Sequence, residues 1–201
     1  MPRLADHGRR RRQITDAARR VVARDGLAAA TFQTVAAEAG ISVRLVQYYF
    51  GTKREFLLAT HRAVAEDAGT RLAARLAALG ESPPRAVVRG ILAELLPADD
   101  ARRQDAVVLD AFHSAALTGS EVAAADTIGA PRVIVDLVAG QLRRIEGASR
   151  GTSSADDDAW LLVLAAAGLA QAMLVDPPTA ERAGDLLDRL LDRFVGGASG
   201  R

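Results

Sequence analysis

The sequence predicts an all-α protein with two domains. Good helix formers (Ala, Leu, Arg and Glu) dominate its 201 residues, and strand signals are nearly absent. Charge divides the chain as well: residues 1–54 carry 11 Lys/Arg against 4 Asp/Glu, whereas residues 55–201 carry 15 against 21. A basic segment suits a phosphate backbone, and an acidic one is repelled by it. We therefore expect a helical DNA-binding domain over 1–54 and an acidic helical domain over 55–201.

The first predicted helix runs from about Arg10 to Arg24 and is stopped by Gly26. Its apolar residues recur at helical spacing: Ile14, Ala17, Ala18, Val21 and Val22. The run of arginines from 9 to 12 leads straight into this amphipathic segment, so the N-terminus does not resemble a signal peptide. Beside a DNA-binding motif, such a run favours contact with DNA over a merely solvated terminus.

Two short helices joined by a tight turn follow. Thr31 can cap the first, whose apolar stripe consists of Val35, Ala36 and Ala39. Gly40 follows where a left-handed residue ends the helix, and Ile41 is expected to fill the turn. Ser42 can cap the second helix, whose apolar face consists of Leu45, Val46 and Tyr49. This is a helix-turn-helix, and its second helix, the recognition helix, is of a size to enter a DNA major groove.

The same residues carry a family resemblance. The pattern Thr–x3–Val-Ala–x2–Ala-Gly-Ile-Ser, followed by Val-Gln-Tyr-Tyr-Phe-Gly-Thr-Lys, resembles the TetR family of bacterial transcriptional regulators. The run at positions 48–53 is its most specific part, and the match extends without a gap from about Gln13 to Leu57. Many members have Thr-Leu-Tyr where this chain has 45–47, Leu-Val-Gln. The family's preference for a DNA sequence is therefore not carried over.

The resemblance implies sequence-specific binding to double-stranded operator DNA, usually as a repressor. Ser42, Tyr49 and Lys53 are expected to bind phosphates. Arg44 is the only long cation within the recognition helix, which makes it the candidate for a bidentate contact to guanine. The full set of predicted DNA-binding residues is Thr31, Thr34, Ser42, Val43, Arg44, Leu45, Gln47, Tyr48, Tyr49 and Lys53.

Six further helices are predicted after the motif. Their expected limits are Thr52 to about Leu79, Pro83 to about Leu96, Asp99 or Asp100 to about Leu117, Glu121 to Glu146 with a kink or split at 129–131, Ala155 to Leu174, and Thr179 to the glycines at 196–197. Residues 147–158 are rich in Gly, Ser and Asp, which is typical of a mobile loop.

The last two helices carry the most apolar surface. The final one has a full apolar face, and the one before it is apolar nearly all round from Trp160 to Val175, so it needs neighbours on every side. Burial within one chain and pairing with a second copy both satisfy that need, and the resemblance favours a homodimer. The predicted interface residues are Leu162, Ala166, Leu169, Leu186, Leu187, Leu190, Leu191 and Phe194.

The resemblance also implies a small-molecule effector bound in the C-terminal domain. The candidate ligand-binding residues are Gln171, His113, His61, Phe112, Trp160 and Met173, although each also fits an ordinary core or surface position. Residues 95–103 faintly resemble the BetI-type subgroup, but the scarcity of aromatic residues argues against a cage for a quaternary ammonium group. We therefore expect a small, largely hydrophobic effector.

Several functional classes are disfavoured. The chain has no cysteine and only three scattered histidines, so neither a disulfide nor a metal site is expected. It has no nucleophile elbow, zinc-protease motif, phosphate loop or dinucleotide fingerprint, so we expect no enzyme and no cofactor. The longest apolar run, 159–173, is too short to span a bilayer, which indicates a cytoplasmic protein without a membrane role. The alternative left open is an all-helical ligand-binding or scaffold module without a DNA role.

Overall fold

The computed structural model describes residues 2–118, 129–146 and 152–195, and its regular structure over these ranges is helical. The elements are α1 (Pro2–Asp25), a 3-10 turn (Leu27–Ala29), α2 (Phe32–Ala39), α3 (Val43–Phe50), α4 (Lys53–Leu79), α5 (Pro84–Glu94), α6 (Asp100–Leu117), α7 (Gly129–Glu146), α8 (Thr152–Val175) and α9 (Pro177–Val195). The predicted all-α class, with a helix-turn-helix near the N-terminus, is confirmed.

Three helices begin earlier than predicted. α1 starts at Pro2, and Arg9 pairs with Asp6 at 2.7 Å one turn away, which supports the added turns. α8 starts at Thr152, so the predicted loop over 147–158 is wrong for 152–158; Arg143 pairs with Asp156 at 2.7 Å and ties this start to α7. α9 starts at Pro177, because proline is tolerated in a first helical turn.

Other predicted boundaries fall outside the described residues. These are the start of the seventh helix over 121–128, the remaining loop over 147–151 and the terminating glycines at 196–197.

The described chain divides into two compact units. The first comprises 1–67 and 100–128, so it contains α1, α2, α3, the beginning of α4, and α6. Its core draws on all five helices: Ile14, Val21, Val35, Val46, Phe50, Phe56, Val108 and Phe112 are buried in one cluster. The sequence put the functional division at residue 54; that division stays a prediction, while packing groups α6 with the helix-turn-helix.

The second unit comprises 68–99 and 129–201, with α5, α7, α8, α9 and the end of α4. A cluster from α5, α7, α8 and α9 forms its core, including Val88, Ile91, Leu142, Leu162, Ala166, Leu187 and Leu191. Gly90 is buried on α5 where the end of α4 comes close: a Cβ there would lie 2.6 Å from Leu79 Cδ1. On the rim, Arg89 donates two hydrogen bonds to Asp188, at 2.6 and 3.0 Å, and lowers the pKa of that carboxyl.

Helix α8 is apolar on both of its faces. Leu162 and Ala166 are buried against neighbouring helices, whereas Leu161, Leu164 and Val175 are exposed. The sequence predicts that the apolar run over 159–173 is too short to span a bilayer. That prediction is wrong on length, because by length and composition alone Ser154–Val175 is apolar enough to cross a membrane, with a mean hydropathy of 1.8; 28% of this window is buried. The packed face is that of a core helix, and among the described residues none covers Leu161, Leu164 and Val175 on the other face.

Candidate nucleic-acid interface

The first helix of the motif is held at both ends as the sequence predicts. The Thr31 hydroxyl accepts the Thr34 backbone N–H at 3.1 Å, and the Thr34 hydroxyl accepts the Thr31 N–H at 3.0 Å, so the two residues form a reciprocal capping box. Gly40 ends α2 with φ 67°, a conformation that suits glycine. Ile41, expected to fill the turn, is partly buried against the core.

The recognition helix is α3. Ser42 caps it by accepting the Leu45 N–H at 3.2 Å, and Val46 and Phe50 anchor it in the core of the first unit. Because these anchors lie on one face, Arg44, Gln47 and Tyr48 lie together on the opposite, exposed face; Tyr48 is 76% exposed. This arrangement presents three long polar side chains at helical spacing to solvent.

The other predicted DNA-binding residues differ in their exposure. Ser42 and Thr34 are exposed, while Thr31, Val43, Leu45, Tyr49 and Lys53 are half-buried. Val43 and Tyr49 also pack against the core, and Thr31 and Thr34 hold the cap of α2. The predicted set lies on α2, α3 and their caps and at the start of α4, all in the first unit, and its contact with DNA stays a prediction.

Two residues of α1 contact the end of the recognition helix, and the sequence did not single them out. The His7 ring lies 4.7 Å from the Tyr49 ring, which in turn meets the Tyr48 ring at 5.4 Å. Arg11 Nη1 donates a hydrogen bond to the Tyr49 carbonyl oxygen at 2.6 Å, and its guanidinium lies 4.4 Å over the Phe50 ring. His7 and Arg11 are four residues apart and so share one helix face, a spacing that is visible in the sequence although its partner is not.

Several arginines of the basic segment are neutralised within the first unit. Arg12 pairs with Asp67 at 2.6 Å, and Arg20 and Arg24 share Glu38 at 2.7 and 3.2 Å. The hydrogen bonds from Arg20 and Arg24 lower the pKa of Glu38. Arg44 has no ion-pair partner within the described ranges, so the positive charge at the centre of the exposed face is available to a ligand.

A buried ion pair fixes α6 against α1. Arg19 pairs with Asp105, which is only 3% exposed, and also with Asp67 at 3.1 Å. One guanidinium thus joins α1, α4 and α6 within the first unit. These ion pairs hold together the unit that carries the candidate DNA-binding surface.

Three candidate ligand-binding residues lie in the first unit. His61 is 7% exposed and packs edge-on against the buried Phe112 ring, at 5.1 Å between centroids, whereas His113 is exposed. Burial lowers the pKa of His61, and the neighbouring His113 and Arg62 lower it further. His61 is therefore a neutral imidazole at pH 7, able to donate and to accept one hydrogen bond.

The other three candidates lie in the second unit and do not form a group. Trp160 and Gln171 are exposed on α8, and Met173 is buried in the core. A ligand-binding role for any of the six stays a prediction; His61 and Phe112 are the pair that the structure brings into direct contact.

The predicted dimer residues fall into two groups, and four of them require a correction. Leu162, Ala166, Leu187 and Leu191 are fully buried in the core of their own unit. They follow the alternative of burial within one chain, because the apolar faces of α8 and α9 pack on each other and on α5 and α7. Leu169, Leu186, Leu190 and Phe194 are half-buried at the border of that core, and their role in a dimer stays a prediction.

A capped helix-turn-helix with an exposed polar recognition helix, in a segment (residues 1–54) of net charge +7, is typical of DNA-binding transcriptional regulators. Comparison with known proteins agrees. Residues 14–60 match the family model described as bacterial regulatory proteins, tetR family. The BetI transcriptional regulator of Rhizobium meliloti is 31% identical over 140 residues, which are 70% of this chain and 68% of that protein. The chain belongs to the TetR family, whose members are ligand-responsive DNA-binding regulators.

A second relative and a solved structure are similar to this chain and are also transcriptional regulators. The transcriptional regulator PksA of Bacillus subtilis is 32% identical over 112 residues, 56% of this chain; the match spans about half of that relative's length, 54%. A transcriptional regulator from Rhodococcus sp. Rha1 has 28% identity and a TM-score of 0.70 over 92% of this chain and 94% of its own. These relatives are named as transcriptional regulators and not as enzymes.

Proposed function

We propose that this protein is a cytoplasmic, dimeric repressor that binds double-stranded operator DNA through α3 and is released by a small, largely hydrophobic effector. The observation that carries the proposal is the exposed row of Arg44, Gln47 and Tyr48 on a capped helix within a segment of net charge +7. Family membership supports the same conclusion. A dimer bound over a promoter blocks polymerase, which is the usual mode of action in this family.

The exposed face suggests a division of labour among its side chains. Ser42 lies at the N-terminus of α3, where a phosphate is favoured by free N–H groups and by the helix dipole. Tyr49 and Lys53 flank the other end, and we assign them to phosphates too. Arg44 lies inside the exposed face, so we assign its planar guanidinium to a base edge in the major groove.

Replacing Arg44 with alanine should weaken operator binding by about 1–3 kcal/mol and relax the preference at one base pair, because a bidentate base contact is lost. Lys53→Ala should weaken binding to all duplexes alike and reduce the salt dependence, because a phosphate contact is lost. Both can be measured by titrating operator and random duplexes with each variant over a range of salt concentrations. An unchanged ratio of operator to random affinity in Arg44→Ala would remove Arg44 from base recognition.

We further propose that a second copy covers the outer face of α8. Leu161, Leu164 and Val175 lie on that face at exposures of 52%, 59% and 84%, in a protein whose family acts as dimers. Pairing would bury apolar surface that is otherwise left in water. A two-fold dimer would also present two recognition helices about 34–36 Å apart, one turn of DNA.

The proposed effector acts by changing the balance between two states. A ligand shifts such an equilibrium only by its difference in affinity for the two states, so it must bind the free dimer better than the DNA-bound one. Reciprocity then requires operator DNA to weaken effector binding by the same factor. Among the candidate anchors, His61 best fits a polar group in an apolar surrounding, ahead of His113 and Gln171.

A compound screen tests the effector. Compounds that raise the melting temperature should also release operator DNA, and their apparent Kd should rise when operator is added. His61→Phe preserves an aromatic ring beside Phe112 and should reduce the melting shift while leaving DNA binding intact. Stabilisers that never alter DNA affinity would instead indicate a regulator whose second unit only dimerises. Failure of the wild type to bind any duplex at low salt would favour the alternative, a helical module without a DNA role.

A further inference from the structure

We propose that Arg11 is a positioning residue for DNA recognition: it acts from α1 by holding the last turn of α3, and it does not itself bind DNA. This inference rests on the proposed function and deepens it. It separates Arg11 from the basic run 9–12, in which composition alone makes all four arginines equivalent phosphate ligands.

The Arg11 side chain reaches from α1 to the end of α3. Its Nη1 donates to the Tyr49 carbonyl oxygen at 2.6 Å, and its guanidinium plane lies over the Phe50 ring at 4.4 Å. The two contacts fall on consecutive residues of the recognition helix. A charge-assisted hydrogen bond combined with a cation–π contact is stronger than either alone, and both are already made in the free protein.

The last turn of α3 needs hydrogen-bond partners for its terminal carbonyl groups. The final carbonyl groups of a helix have no partner within that helix, and α3 ends at Phe50 with Gly51 at φ 63°. Arg11 supplies the partner for the Tyr49 carbonyl oxygen, and a positive group at a helix C-terminus also suits the helix dipole. His7, one turn earlier on α1, contacts the Tyr49 ring at 4.7 Å.

A groove lies beside the contact between Arg11 and α3. A space of about 420 Å³ is lined by Arg11, Tyr49, Phe50, Gly51, Glu55 and Arg62. This space is partly open to solvent and lies where α3 passes into α4. We infer that Arg11 fixes this corner, and with it Tyr49 and Lys53, which the proposed function assigns to phosphates.

The neighbouring arginines of the run have other partners. Arg9 is 82% exposed and pairs with Asp6, whereas Arg12 pairs with Asp67. Arg10 donates to Gln13 on its own helix. Within the run, Arg11 is the arginine that contacts α3, and Arg9 provides the matched surface control.

Two substitutions of Arg11 separate the roles. Arg11→Lys keeps the charge but loses the planar fork, which an ammonium cannot replace in a stacked contact. Arg11→Gln removes the charge. If Arg11 positions α3, both variants should lower operator affinity about tenfold, as expected for a lost hydrogen bond to a charged group. Neither should change the salt dependence of binding, while Arg9→Gln should reduce its slope by about 0.9 if Arg9 meets a phosphate.

The experiment uses the full-length protein and an operator selected by the wild type from random duplexes, at a temperature where circular dichroism shows each variant folded. Recovery of wild-type affinity by Arg11→Lys, with a salt slope reduced in Arg11→Gln alone, would overturn the proposal in favour of a direct phosphate contact. A lower melting temperature with unchanged operator affinity would also overturn it, because the role would then be structural only.

A double-mutant cycle measures the coupling between two losses of operator affinity, which a purely structural role of Arg11 would not produce. Tyr49→Phe keeps the ring beside His7 but removes the hydroxyl assigned to a phosphate. If Arg11 acts through Tyr49, then Arg11→Lys should cost less in the Tyr49→Phe background than in the wild type. Strict additivity of the two losses would contradict positioning.

Hydrogen exchange tests the same contact without DNA. The Gly51 N–H bonds to the Gln47 carbonyl oxygen at 2.8 Å and reports on the last turn of α3. Its exchange should quicken in Arg11→Lys and not in Arg9→Gln. Unchanged exchange in Arg11→Lys would overturn the positioning role even in a protein that binds DNA. A wild type that binds no duplex, combined with faster exchange in Arg11→Lys, would instead refute the proposed function and limit Arg11 to fixing the helix.

Discussion

Replacing Asp105 with alanine is expected to destabilise the first unit by about 3 kcal/mol. Asp105 is 3% exposed and pairs with Arg19, so its removal leaves a largely buried guanidinium short of one partner. The loss in the free energy of unfolding should lie at the lower end of the range measured for broken buried ion pairs, because Arg19 keeps its ion pair with Asp67 at 3.1 Å. Urea unfolding, followed by the helical signal, measures the loss directly.

Two controls identify the mechanism. Glu38→Ala removes the partner of two exposed arginines and should cost much less, because solvent screens that pair. The double variant Arg19→Met with Asp105→Leu should recover most of the stability, since apolar groups of similar size can replace a buried pair. If the double variant is as unstable as Asp105→Ala, an unpaired buried guanidinium is not the cause of the lost stability.

Local signals were sufficient to predict the helix-turn-helix. Thr31 and Ser42 cap α2 and α3, and Gly40 ends α2, each by a rule that acts within four residues of the chain. The core anchors Val46 and Phe50 then determine which residues of α3 face outward. The sequence named Val46 correctly but placed Leu45 and Tyr49 beside it on the apolar face, whereas Phe50 is the second buried anchor and Leu45 and Tyr49 are half-buried.

Contacts between distant residues could not be predicted in this way. The partner of Arg19 lies on α6 and that of Arg11 on α3, and neither pairing leaves a periodic signal in the sequence. Composition placed a division at residue 54 because net charge changes there, whereas burial follows packing and includes α6 in the first unit. Single-chain composition also makes Arg9 to Arg12 look alike, although their partners differ.

Helix α8 shows a second limit of sequence reasoning. Periodicity identifies the buried face of a helix when the other face is polar. Helix α8 is apolar all round, so its pattern does not indicate which face is buried. The sequence therefore assigned Leu162 and Ala166 to a dimer, whereas they are buried in their own chain. Leu187 and Leu191 on α9 have the same burial, because their periodic face is the one that covers α8.

Replacing Leu164 with glutamate is expected to convert the proposed dimer to a monomer and to abolish operator binding at concentrations where the wild type binds. Leu164 is 59% exposed in the single chain, so the charge remains in water and the fold is preserved. In a dimer that covers the outer face of α8, the same carboxylate would be buried without a partner, which is costly. Two half-sites then no longer bind together, and the gain from linked binding is lost.

Sedimentation velocity and circular dichroism of the same samples distinguish the possible outcomes. Val133→Glu, on α7 at the same exposure of 59%, controls for a charge replacing an exposed apolar side chain and should leave a dimer that binds operator. Leu187→Arg or Leu191→Arg should instead lose the folded signal, because these residues lie in the core of their own chain. A Leu164→Glu variant that remains dimeric would exclude this face of α8 as the interface, and a monomeric wild type would refute the dimer itself. The decisive result is a folded monomer: it requires that the substituted face is free in one chain and buried between two.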